Sequence, residues 1–170
     1  MPKTFEPVVV LCVAIAGLLG SAIDLRTRRV PNLLTFSVAG AGLALAASGR
    51  WPVSLPAAVF GLAIGLLMML PGHVIGATGA GDVKLFAAMG TLLGPRGIAL
   101  AFLYTALAGG AIAVVVAASR RCLAGTLERA GALMRSGSSI VPEIENATTN
   151  NRFAYAPAIA LGTLIAALGL

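Results

Sequence analysis

Residues 52–70 read PVSLPAAVFGLAIGLLMML, nineteen positions without a single charged side chain. A helix of that length rises about 28 Å, close to the roughly 30 Å of hydrocarbon in a bilayer. Outward from this stretch the pattern repeats. Further apolar runs cover Val8 to Ile23, Leu33 to Ala47, a short Leu85 to Leu93, Gly97 to Ala118, and Phe153 to Leu170. Of the 170 residues, 58% are hydrophobic and only 11% charged, and the mean hydropathy is +0.96. Such a chain has too little polar surface for an ordinary soluble globule. The runs lack the alternation of barrel strands, and a backbone in lipid must satisfy its own hydrogen bonds, so they are expected to be helices. The expectation is an all-α, polytopic membrane protein, a bundle of about six transmembrane helices forming one integral-membrane domain over 1–170. Lys3, the first apolar run and Gly20-Ser21-Ala22 superficially fit a cleaved signal, but more spans follow and the run ends in Asp24.

The net charge of +6 does not point to nucleic acid, because apolar segments separate the basic residues that a groove-binding surface would cluster. Orientation accounts for them better. With the N-terminus outside, the first, third and fifth connections carry Arg26, Arg28, Arg29, Lys84, Arg120, Arg121, Arg129, Arg135 and Arg152. The opposite side holds only Lys3, Arg50 and Arg96. The positive-inside rule then puts the first group in the cytoplasm, provided Leu85 to Leu93 is a full crossing. In the connection 119–152, Leu123, Leu127, Ala130 and Met134 recur at helical spacing beside arginines, the pattern of a short helix on an anionic leaflet. Ser136 to Asn151 reads as a linker. Cys12 and Cys122 form no CxxC pattern, and His73 is the sole histidine, so neither a disulfide framework nor a His-based metal site is indicated, and no cofactor is expected. Gly61 and Gly65 form a small-xxx-small pair and Gly109-Gly110 interrupt the fifth run, as close helix packing requires, although glycine is common in membrane helices anyway.

Asp24 and Asp82 are the only aspartates, each at the edge of an apolar run and both on the side assigned to the cytoplasm. Alone, Asp24 reads equally well as a partner for Arg26 or Arg28, and Asp82 as the N-cap of the helix that follows. Together they ask for more, because ionisable groups at membrane depth persist when they pair or line a polar cavity. Two carboxylates within a few ångströms share one proton and so supply a base and an acid. The base activates a water against a peptide carbonyl while the acid protonates its oxygen and later the leaving amine. Gly79 and Gly81 leave space and backbone freedom beside Asp82. Arg26, Arg28, Arg29 and Lys84 are candidates to tune the pair or to hold lipid phosphates and acidic substrate groups.

The stretches Asp24-Leu25-Arg26-Thr27-Arg28-Arg29-Val30-Pro31-Asn32 and Gly79-Ala80-Gly81-Asp82-Val83-Lys84-Leu85 resemble the type IV prepilin peptidases, the bacterial GxGD aspartyl proteases. Phe153-Ala154-Tyr155-Ala156-Pro157-Ala158-Ile159-Ala160-Leu161-Gly162 is similar to the family's final helix. The resemblance implies an endopeptidase of the bacterial inner membrane. It would remove the leader peptides of prepilins or pseudopilins at the cytoplasmic face, for pilus assembly or type II secretion, with Asp24 and Asp82 catalytic and Gly79 and Gly81 shaping the site. Larger members carry a cytoplasmic N-terminal region and also N-methylate the product using S-adenosylmethionine. Only seven residues precede the first apolar run here, so the resemblance does not carry methyl transfer over to this chain, and whether any N-methylation occurs is left open. The form is similar to the short peptidases of Flp (tight adherence) systems. Membrane lipids and a pilus-assembly machinery are the other implied partners; oligomeric state is left open. Two other classes stand beside the enzyme: a non-catalytic membrane component of a pilus or secretion assembly, and a small proton-coupled transporter with the aspartates as relay.

Overall fold

The computed structural model describes residues 7–27, 30–74, 78–119 and 155–169. Helices stand on each of the apolar runs, and no strand occurs among the described residues. Five helices follow in order: α1 Pro7–Thr27, α2 Asn32–Ala47, α3 Leu55–Val74, α4 Ala80–Ser119 and α5 Ala156–Leu168. Three are long and apolar enough to cross a membrane, Pro7–Thr27, Leu55–Val74 and Ala80–Val115, whereas α2 and α5 are shorter apolar helices. The arginine-rich segment expected between 119 and 152 lies, but for Ser119, outside the described residues, as do Arg28 and Arg29.

The fourth helix is not one rod. Gly94 has φ 69° and ψ −178°, a left-handed φ that side chains with a Cβ avoid, and Pro95 then opens a second arm with its fixed φ. A straight helix would hold Phe86 and Phe102 about 24 Å apart. Their rings instead meet edge to face with centroids 6.1 Å apart, so α4 doubles back at Gly94 as a helical hairpin. The indole N–H of Trp51, in the connection before α3, donates to the carbonyl of Leu92 at 3.4 Å, covering one of the carbonyls that the end of the first arm leaves free.

That first arm is the axis of the bundle. Every residue from 85 to 94 is buried, with Leu85, Phe86 and Met89 fully enclosed, and a helix apolar all round belongs inside. Gly61 and Gly65 of α3 lie against its main chain, at Gly90 and at Phe86 and Ala87 respectively, while Gly20 of α1 faces Leu85 and Gly42 of α2 faces Thr91. The last helix runs back along α1: Asp24 meets its start at Ala156, and Gly17 meets it further along at Ala160. The brevity of the Leu85 to Leu93 run thus reflects a central position, where lipid contact is replaced by packing on all sides.

Two ends result. At one stand Asp24, Val30, Asn32, Gly79, Asp82, Lys84 and Tyr155; at the other, Arg50, Trp51, Val53 and the Gly94-Pro95-Arg96 turn. A cavity of about 310 Å³ opens at this second end between Val53, Leu93 and Arg96, away from both carboxylates.

Candidate active site

Asp24 lies in the last turn of α1, and its residue is 5% exposed. Its carboxylate is held by α5: the N–H of Ala156 donates to Oδ2 at 3.3 Å. Ala156 is the first residue of that helix, where main-chain amides have no partner within the helix. Pro157 has no N–H, so in the first two positions Ala156 alone has a donor to give. Amides at a helix start are complementary to an anion.

Asp82 is the third residue of α4, 8% exposed. It is not the N-cap that its position suggests. Gly79 takes that place, its carbonyl accepting the amides of Asp82 at 3.1 Å and Val83 at 3.2 Å. The Asp82 side chain reaches back so that Oδ2 accepts the Gly79 N–H at 3.2 Å, the return half of a capping box. Its other oxygen, Oδ1, is buried and without a hydrogen-bond partner among the described residues. The two aspartates, distant in the chain, are near enough for the charge of Asp24 to act on Asp82.

The expected glycines differ in what they do. At Gly81 a Cβ would lie 3.0 Å from Val30 Cβ and 3.1 Å from its carbonyl oxygen, so this glycine lets the connection after α1 lie across the start of α4. At Gly79 a Cβ would approach Asp82 Oδ2 at 3.1 Å. Lys84 donates to Asn32 Oδ1 at 2.9 Å and, like Arg26, is exposed beside the site. His73 Nδ1 stands 3.1 Å from the carbonyl of Thr78, and the Thr78 amide donates to Gly72 O at 3.1 Å, tying both ends of the connection before Gly79.

The sequence reading missed Ala156, Asn32 and Val30. A main-chain amide leaves no compositional signal; the only hint was the segment Phe153 to Gly162, read as a family likeness and not as part of the site.

The type IV leader peptidase family matches this chain over residues 10–114, a stretch that includes both aspartates and most of the described bundle. The chain belongs to the type IV leader peptidase family. Two curated proteins of Burkholderia pseudomallei, strains 1026b and K96243, each named prepilin leader peptidase/N-methyltransferase, are 37% identical to it over 114 residues. The match covers 62% of this chain and 35% of each relative, so the chain spans about a third of the length of the curated relatives it matches. No solved structure matches. Family membership and the long apolar helices together make this leader peptidase homologue a membrane protein. Helix α5, which supplies the Ala156 amide, lies beyond the matched residues.

Proposed function

We propose that this chain is an aspartic endopeptidase of the bacterial inner membrane, cleaving the leader peptide of a type IV or Flp prepilin or pseudopilin at the cytoplasmic face. The whole chain acts as one six-span peptidase domain, with the two arms of α4 as separate crossings. Asp24 and Asp82 share a proton. The ionised member takes a proton from water as the water attacks the scissile carbonyl, and the protonated member donates to that carbonyl's oxygen and then assists the leaving amine. Gly79 and Gly81 shape the site, the first by leaving room for the Asp82 carboxylate and the second by letting the connection at Val30 cross the start of α4. Arg26, Arg28, Arg29 and Lys84 serve lipid phosphates or acidic groups of the substrate.

The observation that carries the reading is that the only two aspartates are both buried at one end of the bundle, close enough for the charge of Asp24 to act on Asp82. Among the described residues, the hydrogen-bond partner of Asp24 is a main-chain amide, as suits a carboxylate held in place for chemistry. A transport relay would place carboxylates near the bilayer midplane, whereas both lie in terminal turns of their helices. The arrangement of basic residues supports the orientation: Arg26 and Lys84 share the aspartates' end, while Arg50 and Arg96 stand at the other.

The test separates enzyme from scaffold. Asp24→Asn and Asp82→Asn, made singly, should each abolish maturation of a co-expressed prepilin followed by gel mobility. Maturation at the normal rate by either variant would reject the pair as catalytic. N-terminal sequencing of the product identifies the bond.

A further inference from the structure

Tyr155 has no part in the chemistry above, yet it touches the elements that hold both carboxylates. Its carbonyl accepts the amides of Ala158 at 3.0 Å and Ile159 at 3.2 Å, so α5 starts from it, and the next amide in the chain is the one on Asp24. Its ring rests on the second arm of α4 at Gly109, where a Cβ would come within 2.7 Å of Cε2 and 3.0 Å of Oη. Only glycine leaves that notch. The sequence marks Gly109-Gly110 as an interruption, but the helix runs through both; Gly109 seats a ring and Gly110 faces open space. In the hairpin register fixed by Phe86 and Phe102, Ala106 stands across from Asp82, and Gly109 is one turn nearer the same end. The phenol therefore lies at the level of the carboxylates. A tyrosine phenol is protonated at physiological pH and so able to donate a hydrogen bond. At that same end stands the Asp82 carboxylate, whose Oδ1 is buried without a hydrogen-bond partner among the described residues.

We propose that Tyr155 is a positioning residue of the aspartate pair: seated in the notch at Gly109, its hydroxyl donates to Oδ1 of Asp82 in the working complex and holds that carboxylate at its angle to Asp24. The inference rests on the peptidase reading. A hydrogen bond to a charged group is worth roughly a ten- to hundredfold change in an equilibrium or rate, and that sets the size of the effect.

The experiment uses the full chain in detergent micelles with a purified, tagged prepilin carrying its leader. Tyr155→Phe keeps the ring and its packing. Its thermal midpoint should stay at the wild-type value and KM within about twofold, while kcat falls roughly ten- to hundredfold. Gly109→Ala, which displaces the hydroxyl without removing it, should lower kcat in the same way and serves if Tyr155→Phe does not fold. A role in packing alone predicts that Phe restores what Tyr155→Ala loses; wild-type kcat in Tyr155→Phe overturns the proposal. Asp24→Asn and Asp82→Asn are run alongside. If either cleaves normally, the peptidase reading falls and this inference with it. If both are inert while Tyr155→Phe is fully active, only the role of Tyr155 is lost.

Discussion

The amide of Ala156 donates to Oδ2 of Asp24 at 3.3 Å, joining the first helix to the last across most of the chain. An asparagine at position 24 keeps an oxygen for that amide and removes a buried charge. An alanine leaves a buried N–H unpaired, at a cost of about 1–3 kcal/mol. Asp24→Asn should therefore unfold at or above the wild-type temperature, and Asp24→Ala below Asp24→Asn by that margin, while neither cleaves prepilin. Thermal unfolding in one detergent decides it; equal midpoints for the two variants would mean that the Ala156 contact contributes nothing.

The two glycines of Gly79-Ala80-Gly81-Asp82 should fail differently. A methyl at Gly81 meets Val30 main chain and Cβ at 3.0–3.2 Å, and moving that connection should cost about 1–3 kcal/mol, as overpacking commonly does. A methyl at Gly79 meets only the Asp82 carboxylate. Gly79→Ala displaces that carboxylate from the Gly79 amide, a charge-assisted bond of about 1.5–3 kcal/mol, so kcat should fall at least tenfold and stability by no more than that bond. Gly81→Ala should lose both. Paired unfolding and single-turnover measurements would reveal any reversal of that order.

Much of this was legible before any coordinates. The apolar runs marked the helices because lipid leaves a backbone few choices, and Gly94-Pro95 separated two runs where the hairpin turns. The aspartates stood out by rarity and by position at helix edges. What the sequence could not carry is which faces meet. Leu85 to Leu93 looks like a weak crossing until its burial on all sides makes it the central arm. Asp82 looks like an N-cap because aspartate suits that place, but Gly79 takes the cap and Asp82 reaches back from the first turn. The Ala156 amide has no side-chain signature at all.

Lys84 is exposed, and its bond to Asn32 spans 2.9 Å between two surface groups. Surface contacts of this kind contribute about 0–1 kcal/mol. Lys84→Met should thus leave the unfolding midpoint within a degree or two, and if the ammonium meets acidic groups of the substrate, Lys84→Glu should raise KM several-fold with kcat little changed. Unaltered KM in the charge-reversed variant would confine Lys84 to lipid or to Asn32.

Gly94 permits a test of distance from the site. Its φ of 69° with ψ −178° lies in a region essentially reserved for glycine and costs another residue about 1–3 kcal/mol, and a Cβ would also lie 3.2 Å from Val53 Cγ1. Gly94→Ala should destabilise the hairpin by at least that amount. The turn is at the end opposite Asp24 and Asp82, so kcat per folded molecule should stay within about twofold of wild type, since substitutions with no shared partner act nearly independently. Gly110→Ala supplies the contrast: a helix position with open space beside it, where alanine should gain about 0.5–1 kcal/mol. Measured together by unfolding and by active-site titration, the two variants should move stability in opposite directions while leaving the chemistry in place. A large loss of kcat in Gly94→Ala would mean that the turn and the carboxylates are mechanically coupled through the central arm.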